Sequence, residues 1–484
     1  MHRADLAVIA AYLAGVTWLG VHFRESQKSL RDYFLGGRTA PWWAIALSIV
    51  AAETSTLTVI GTPSLSFQGD FGFLQVVLGY LLARIVISIL FLPAYFRGDL
   101  FTAYELIERR FGNRVRRLTA GLFLVLRALA EGVRVFAISI VISIVFGAGE
   151  TASIAAILCL TLFYTYEGGM KAVIWTDVAQ MALYIGGAVL SLAAILHQIP
   201  GGWAQVISLA APLGKLRVLD FRLGPPAAFF ARNYSFWAGI LGGCFLTTAS
   251  HGTDQLMVQR LLAARNQRES RTALLASWVL VAAQFTLFLV IGVCLFTLYS
   301  IHHWAPPAVM DRAYPEFVWT YLPAGVAGLV MAAILAAAMS NLSAALNSLA
   351  SATVVDFLRP RLDPARGVRL ARRMTLVWGV ILFGVGLLAR HWGGVFEAGL
   401  SIASVLYGSL LGVFLLGVLA PRVGETAAIF GMAVGLALML YVRFATSIAF
   451  TWYVLIGTVA TFVAGLLASW ILKQSPPKQT QAES

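Results

Sequence analysis

The sequence predicts an all-α polytopic membrane protein of about thirteen transmembrane helices, and three observations carry that prediction. Of its 484 residues, 59% are hydrophobic and only 12% charged, with a mean hydropathy of +0.82; a soluble chain carries about 25% charged residues. Apolar runs of about 20 residues, the length that crosses a bilayer, repeat from end to end. Two of these runs are interrupted by small polar residues at matching places, the sequence sign of a five-plus-five inverted repeat built around a transport site.

In chain order the apolar segments are 4–23, 42–66, 72–96, 116–146, 150–166, 172–196, 234–258, 272–299, 321–352, 371–390, 394–420, 425–445 and 449–472. The first reads as a retained helix rather than a cleaved signal. Its leading residues, His2, Arg3 and Asp5, make a weak positive region, and Arg24, Lys28 and Arg31 follow it. The second, "AAETSTLTVIGTP" at 51–63, is expected to unwind over Thr54–Gly61. The seventh, "WAGILGGCFLTTASHGTDQ" at 237–255, is expected to be interrupted by Gly242, Gly243, Thr247, Thr248, Ser250 and Gly252. Opened backbone at membrane depth persists only where it lines a cavity or is buried in protein. The chain then divides into an extra helix and loop (1–41), a first repeat of five helices (42–200), an external loop (201–233), a second repeat (234–420), two further helices (421–472) and a disordered tail (473–484).

The loops orient the chain. Arg97–Arg117 carries six arginines, Arg260–Arg271 four and Arg359–Arg373 six. Together with Arg24–Arg38 and the C-terminal lysines they fall on one face, which the positive-inside rule makes cytoplasmic. An odd number of spans puts the N-terminus outside and the C-terminus in the cytoplasm of a cell in whose inner membrane the protein sits. The 197–233 loop runs against this, being external and carrying Lys215, Arg217, Arg222 and Arg232. Since the basic residues sit in such loops, the net charge of +13 points to the lipid bilayer and not to nucleic acid. Cys159, Cys244 and Cys294 lie within apolar segments, giving neither a disulfide framework nor metal-ligand spacing.

The polar residues inside the spans carry the functional reading. In "AAAMSNLSAALNS" at 336–348, Ala337, Ser340, Asn341 and Ala344 share one helical face, with Ser343 beside it. Neutral oxygens on such a face suit a hard cation that must leave again, Na⁺. The same spacing is also the ordinary packing seam of membrane helices, with hydroxyls as glue. Glu53, Arg84, Arg127, Glu131, Arg134 and Asp177 fall within spans, where a charge costs roughly 2.5–3.5 kcal/mol. Arg127, Glu131 and Arg134 lie on one face, either as a self-neutralising cluster or with an arginine to spare. With Glu53 and Arg84 the count is three arginines against two glutamates, which fits an anionic solute. Asp177, with only Lys171 nearby in sequence, suits a cation, Na⁺ or H⁺. The chain has no HExxH, Walker or GxSxG motif, so the expectation is a transporter and not an enzyme.

Four stretches, "DYFLGGRTAPWWAIALS" (32–48), "YEGGMKAVIWTDVAQ" (166–180), "TDQLMVQRLLAARN" (253–266) and the 336–348 run, resemble the sodium:solute symporter family over essentially the whole chain. The resemblance implies a LeuT-type core and Na⁺-driven symport of a small-molecule solute by alternating access, with no obligatory protein partner. It also implies a principal Na⁺ site on the carbonyls of Ala51, Thr54 and Ala337 and the side chains of Ser340 and Asn341. At Asn341 the family usually has a second hydroxyl. A second cation site on Asp177, Ser340 and Ser343 would lack one ligand, because the next family position is Ala344 here. The run "FGFLQVVLG" (71–79) has no glutamate where the sugar branch has one, and "STLTVIGTP" is nearer the monocarboxylate, vitamin and anion branch. Glu53, Gln75, Arg134, Thr248 and His251 are the expected solute contacts; the alternatives are a sugar or polyol, an amino acid, H⁺ coupling, and a membrane sensor without flux.

Overall fold

The computed structural model describes residues 3–22, 29–97, 100–307, 309–358, 364–389 and 395–472. The tail at 473–484, expected to be disordered, lies outside the described residues. Helices α1 (Arg3–His22) and α2 (Leu30–Leu35) precede a broken pair, α3 (Trp42–Glu53) and α4 (Thr56–Gln68). Then come α5 (Leu74–Leu90), α6 (Leu92–Phe96), α7 (Ala103–Phe111), α8 (Asn113–Phe146) and α9 (Glu150–Gln198). The long loop contains α10 (Gly202–Ala210) and α11 (Pro226–Ala231). A π-turn at Ala238–Gly242 leads into the second broken pair, α12 (Gly243–Gly252) and α13 (Gln255–Leu262). The rest is α14 (Gln267–His302), α15 (Ala313–Tyr321), α16 (Val326–Ala352), α17 (Pro364–Ala389), α18 (Val395–Leu419), α19 (Glu425–Ala445) and α20 (Tyr453–Ile471).

Among the described residues, eight helices are long and apolar enough to cross a membrane, and the α3–α4 pair, bent by 63°, makes up to nine. Within the described residues, each apolar segment read from the sequence falls mainly on helix. The segments expected at 150–166 and 172–196 are joined, however: α9 is one continuous helix of 49 residues, with apolar stretches at Thr151–Phe163 and Met170–Gln198.

Both breaks are shorter and placed differently from expectation. In the first, only Thr54 and Ser55 leave the helical path. The Ser55 N–H meets the Thr58 hydroxyl at 3.3 Å, which starts α4 at once, so Thr56–Gly61 is helical after all. In the second, the glycines do not open the helix, which runs on to Gly252 and breaks at Thr253–Asp254. Two of those glycines are close-packing positions: a Cβ on Gly243 would stand 2.3 Å from the Val76 carbonyl of α5, and one on Gly242 would stand 2.3 Å from the Thr451 carbonyl.

Helix α16 is the central post, with 94% of its apolar stretch buried against 28% for α17. Its small residues let neighbours approach closely. Its N-terminus is capped from a distance, since Asp5 of α1 accepts from the N–H groups of Gly325 (2.7 Å) and Gly328 (2.8 Å). Gly325 sits at φ 86°, a conformation glycine adopts without penalty.

The basic long loop is anchored by its own charges. Lys215 donates to the Phe67 carbonyl at 2.7 Å, and Arg217 pairs with Asp70 at 2.6 Å. Arg222 donates to both carboxylate oxygens of Asp220 and holds that group down at about 2. Gln75, expected at the solute site, belongs to this anchor. Its amide donates to the carbonyls of Gly72 (3.1 Å) and Tyr234 (3.0 Å) and accepts from the Asp220 N–H (2.8 Å). The buried amide is fully used there and lines no part of the cavity described below.

Candidate functional site

The first break leaves carbonyls without helical partners. Because the Ser55 N–H turns to Thr58, the Ala51 carbonyl loses the donor that a continuous helix would supply. Thr54 folds back instead, its N–H meeting the Val50 carbonyl at 2.8 Å. The Thr54 hydroxyl lies 2.8 Å from Gln284 Oε1, which also accepts from Tyr184 at 3.2 Å.

Helix α16 faces this break with the residues the sequence picked. Asn341 Nδ2 donates to the Ala52 carbonyl at 2.5 Å, and Asn341 Oδ1 accepts from Arg134 at 3.0 Å. The Ser340 hydroxyl donates to Asp177 Oδ1 at 2.5 Å, and its lone pairs remain available to a cation. Ala337 lies one turn earlier, fully buried. A carbonyl without a helical partner and a neutral hydroxyl are oxygens of the kind Na⁺ takes. Asn341 alone offers this break an N–H rather than an oxygen.

Asp177 departs from its sequence reading, for it is not an unpartnered carboxylate. Arg260 of α13 donates to it at 2.8 Å and Ser48 of α3 at 2.5 Å, and all these groups are at most 1% exposed. Its partner lies 83 residues away in the chain, which is why proximity in sequence missed it. Of the proposed second-site residues, Asp177 and Ser340 meet, while the Ser343 hydroxyl turns to the Ser340 carbonyl at 2.9 Å. Among the described residues no cluster of three His, Cys, Asp or Glu could hold a metal ion.

Between the two breaks lies a cavity of about 130 Å³, bounded among others by Glu53, Arg134, Ser250, His251 and Tyr407. Glu53 pairs with Arg84 at 2.7 Å and stands 3.3 Å from His251 Nε2, while Ser250 Oγ lies 2.9 Å from His251 Nδ1. Thr248, though buried on α12, does not line it. Arg127 pairs with Glu131 at 3.0 Å and also with Asp254, which accepts from Tyr407 at 2.5 Å. Arg134 pairs with Glu131 as well. The local balance is therefore three arginines (84, 127, 134) against three carboxylates (Glu53, Glu131, Asp254), and the sequence-level surplus of one arginine disappears. Asp254, Arg260, Ser48 and Tyr407 were not foreseen as site residues. The first two sit in the 253–266 stretch, whose run of buried polar residues was their signal.

One helix bent at Thr54–Ser55 and one broken at Thr253–Asp254, facing a cavity that mixes charged and apolar side chains beside a buried central post, are the architecture of a broken-helix membrane transporter. Residues 33–435 match the profile of the sodium:solute symporter family, and the chain belongs to that family. It is thus a sodium-coupled solute symporter. It is 31% identical to the sodium/iodide cotransporter of Homo sapiens over 446 residues, 88% of this chain and 66% of that protein. It is 28% identical to the sodium/sialic acid symporter of Proteus mirabilis over 98% of this chain and 96% of the other. It is also 28% identical to sodium-coupled monocarboxylate transporter 1 of Homo sapiens, over 90% and 73%. A solved Na⁺-coupled sialic acid symporter in a substrate-bound, outward-open state superposes with a TM-score of 0.89 at 26% identity, covering 99% of both chains. A nucleobase-cation-symport-1 family transporter in a closed conformation shares the fold at a TM-score of 0.63 and 15% identity, covering 93% of this chain and 96% of the other.

Proposed function

We propose that the protein imports a small organic anion, of the monocarboxylate kind, together with Na⁺ by alternating access. The observation that carries this reading is Arg134. Its side chain is 25% exposed, against 6% for Arg127 and 0% for Arg84, so of the three arginines it is the one most open at the cavity wall. A partly exposed guanidinium at a cavity wall suits a carboxylate. The iodide, sialic acid and monocarboxylate carriers among the relatives support an anion.

In this scheme Na⁺ binds the carbonyls of Ala51, Thr54 and Ala337 with Ser340 and Asn341, bridging the first break to α16. Arg260 already neutralises Asp177, which favours one Na⁺ per solute and argues against a second site. The repeats at 42–200 and 234–420 rock about this site. With the N-terminus outside and the C-terminus in the cytoplasm, the inside-negative potential of the cell membrane adds about 2.3 kcal/mol per charge per 100 mV.

The equal count of arginines and carboxylates around the cavity favours a second reading, a zwitterionic solute such as an amino acid. A thermal-shift screen of carboxylates, amino acids and sugars, with and without Na⁺, separates the two. Uptake into proteoliposomes with Na⁺ replaced by choline at fixed pH then tests coupling. Stabilisation by carboxylates in Na⁺, with uptake lost in choline, is the expected result. Preference for amino acids or sugars overturns the anion assignment, and unchanged uptake in choline overturns the Na⁺ site. Binding without flux in any gradient leaves a sensor.

A further inference from the structure

We propose that Asn341 is the coupling element between anion and sodium: its amide reports occupancy of Arg134 to the first helix break. This deepens the reading above and rests on it. Two neighbours fix the amide's orientation. Nδ2 donates to the Ala52 carbonyl and Oδ1 accepts from Arg134. A flipped amide would set oxygen against oxygen on one side and N–H against N–H on the other. In this arrangement the side chain gives an N–H to the break, where sodium requires oxygen, and Arg134 holds the amide oxygen away.

Arg134 belongs to both compartments. It lines the large cavity and also a chamber of about 10 Å³ with Ser55, Thr56, Glu131 and Asn341. In that chamber Glu131 Oε2 is buried without a hydrogen-bond partner. A carboxylate bound in the large cavity draws the guanidinium onto itself and neutralises a positive charge beside the sodium site. Asn341 then rotates, bringing Oδ1 to the break beside the Ala52 carbonyl and Nδ2 toward the chamber, where Glu131 Oε2 accepts it. Two facing oxygens repel unless a cation lies between them, so the rotated state needs both ligands. Each ligand raises the affinity of the other by the same factor, as linkage requires. A serine at this position would instead be a permanent sodium ligand, indifferent to the anion.

The test measures Na⁺ half-saturation on purified protein, by Na⁺-dependent melting and by intrinsic tryptophan fluorescence. It is run alone and with pyruvate, N-acetylneuraminate or iodide in turn. In the wild type at least one of these anions is expected to lower the Na⁺ half-saturation by about fivefold or more. In Asn341→Ser, sodium binds more tightly without anion and the anion effect falls to about onefold, while the anion still binds. Arg134→Met, which leaves α16 untouched, is expected to give the same tight, anion-independent sodium binding, so the proposal stays testable if the serine variant does not fold. If Asn341→Ser binds both ligands and keeps the wild-type factor, the coupling role is overturned while anion symport stands. If none of the anions shifts the wild-type sodium response, both fall together.

Discussion

The two broken helices have similar compositions and opposite chemistry. At Thr54–Ser55 the freed carbonyls meet only neutral groups, chiefly the Asn341 amide. At Thr253–Asp254 charged and hydroxyl groups of the protein take the Gly252 carbonyl and the Asp254 carboxylate. Tyr95 donates to the Gly252 carbonyl at 2.5 Å, Asp254 holds Arg127 and Tyr407, and its other oxygen caps α13 at the Leu256 N–H, 2.9 Å. The difference teaches that a break at membrane depth is not in itself an ion site. A break whose oxygens meet only neutral groups suits an exchangeable ion, whereas one locked by charge suits holding shape.

That contrast breaks first at Asp254. Asp254→Ala strands Arg127 beside a shared Glu131 and removes the cap of α13, so a loss of about 3–5 kcal/mol is expected for the buried pair, with about 1 more for the cap. Thermal melting checks it, and a wild-type transition would mean the second break is not locked by this carboxylate. Asp177→Asn should cost less, about 3 kcal/mol, because the amide oxygen can still accept from Ser48 and Arg260, while the Ser340 hydroxyl faces an N–H and Arg260 loses its counter-charge. Uptake against Na⁺ concentration should stay hyperbolic in this variant. A sigmoidal wild-type curve that becomes hyperbolic in Asp177→Asn would restore a second sodium.

Ser340→Ala sharpens the other half of the comparison. Losing one ligand hydroxyl of about 1.4 kcal/mol raises the Na⁺ half-saturation about tenfold, alongside a stability loss of about 1.5–3 kcal/mol because the buried Asp177 Oδ1 loses its donor. Unchanged sodium dependence would reduce the α16 face to a packing seam.

Much of this was legible in the sequence. The polarity of 51–63 and the face of 336–348 located the break and its partner, because a bilayer penalises idle polar groups heavily enough that they become signals. What stayed hidden depends on long-range pairing. Periodicity relates residues within a helix, so it grouped Arg127, Glu131 and Arg134 but joined neither Asp254 to that cluster nor Arg260 to Asp177. It also takes Gly242 and Gly243 for an interruption, since a packing seam and an unwound turn draw on the same residues, and only their neighbours, the Thr451 backbone and α5, separate the two.

Gln75 makes the smallest and most discriminating prediction. The resemblance points to it as the polar residue nearest the sugar branch's glutamate position, yet its amide ties the start of α5 to the Tyr234 carbonyl and the Asp220 N–H. Gln75→Leu removes these bonds and leaves a buried N–H without an acceptor, so a loss of about 1 kcal/mol in stability is expected. The remaining anchors, Arg217 on Asp70 and Lys215 on the Phe67 carbonyl, keep the loop in place. Because Asp220 ionises near 2, that part of the anchor persists on acidification past the ordinary carboxylate range and is lost only as the pH falls through about 2. Half-saturation for sodium and for solute should not move in Gln75→Leu, because none of its bonds reaches the break or the cavity. A change in solute affinity at unchanged stability would return Gln75 to the transport pathway and make the long loop part of it.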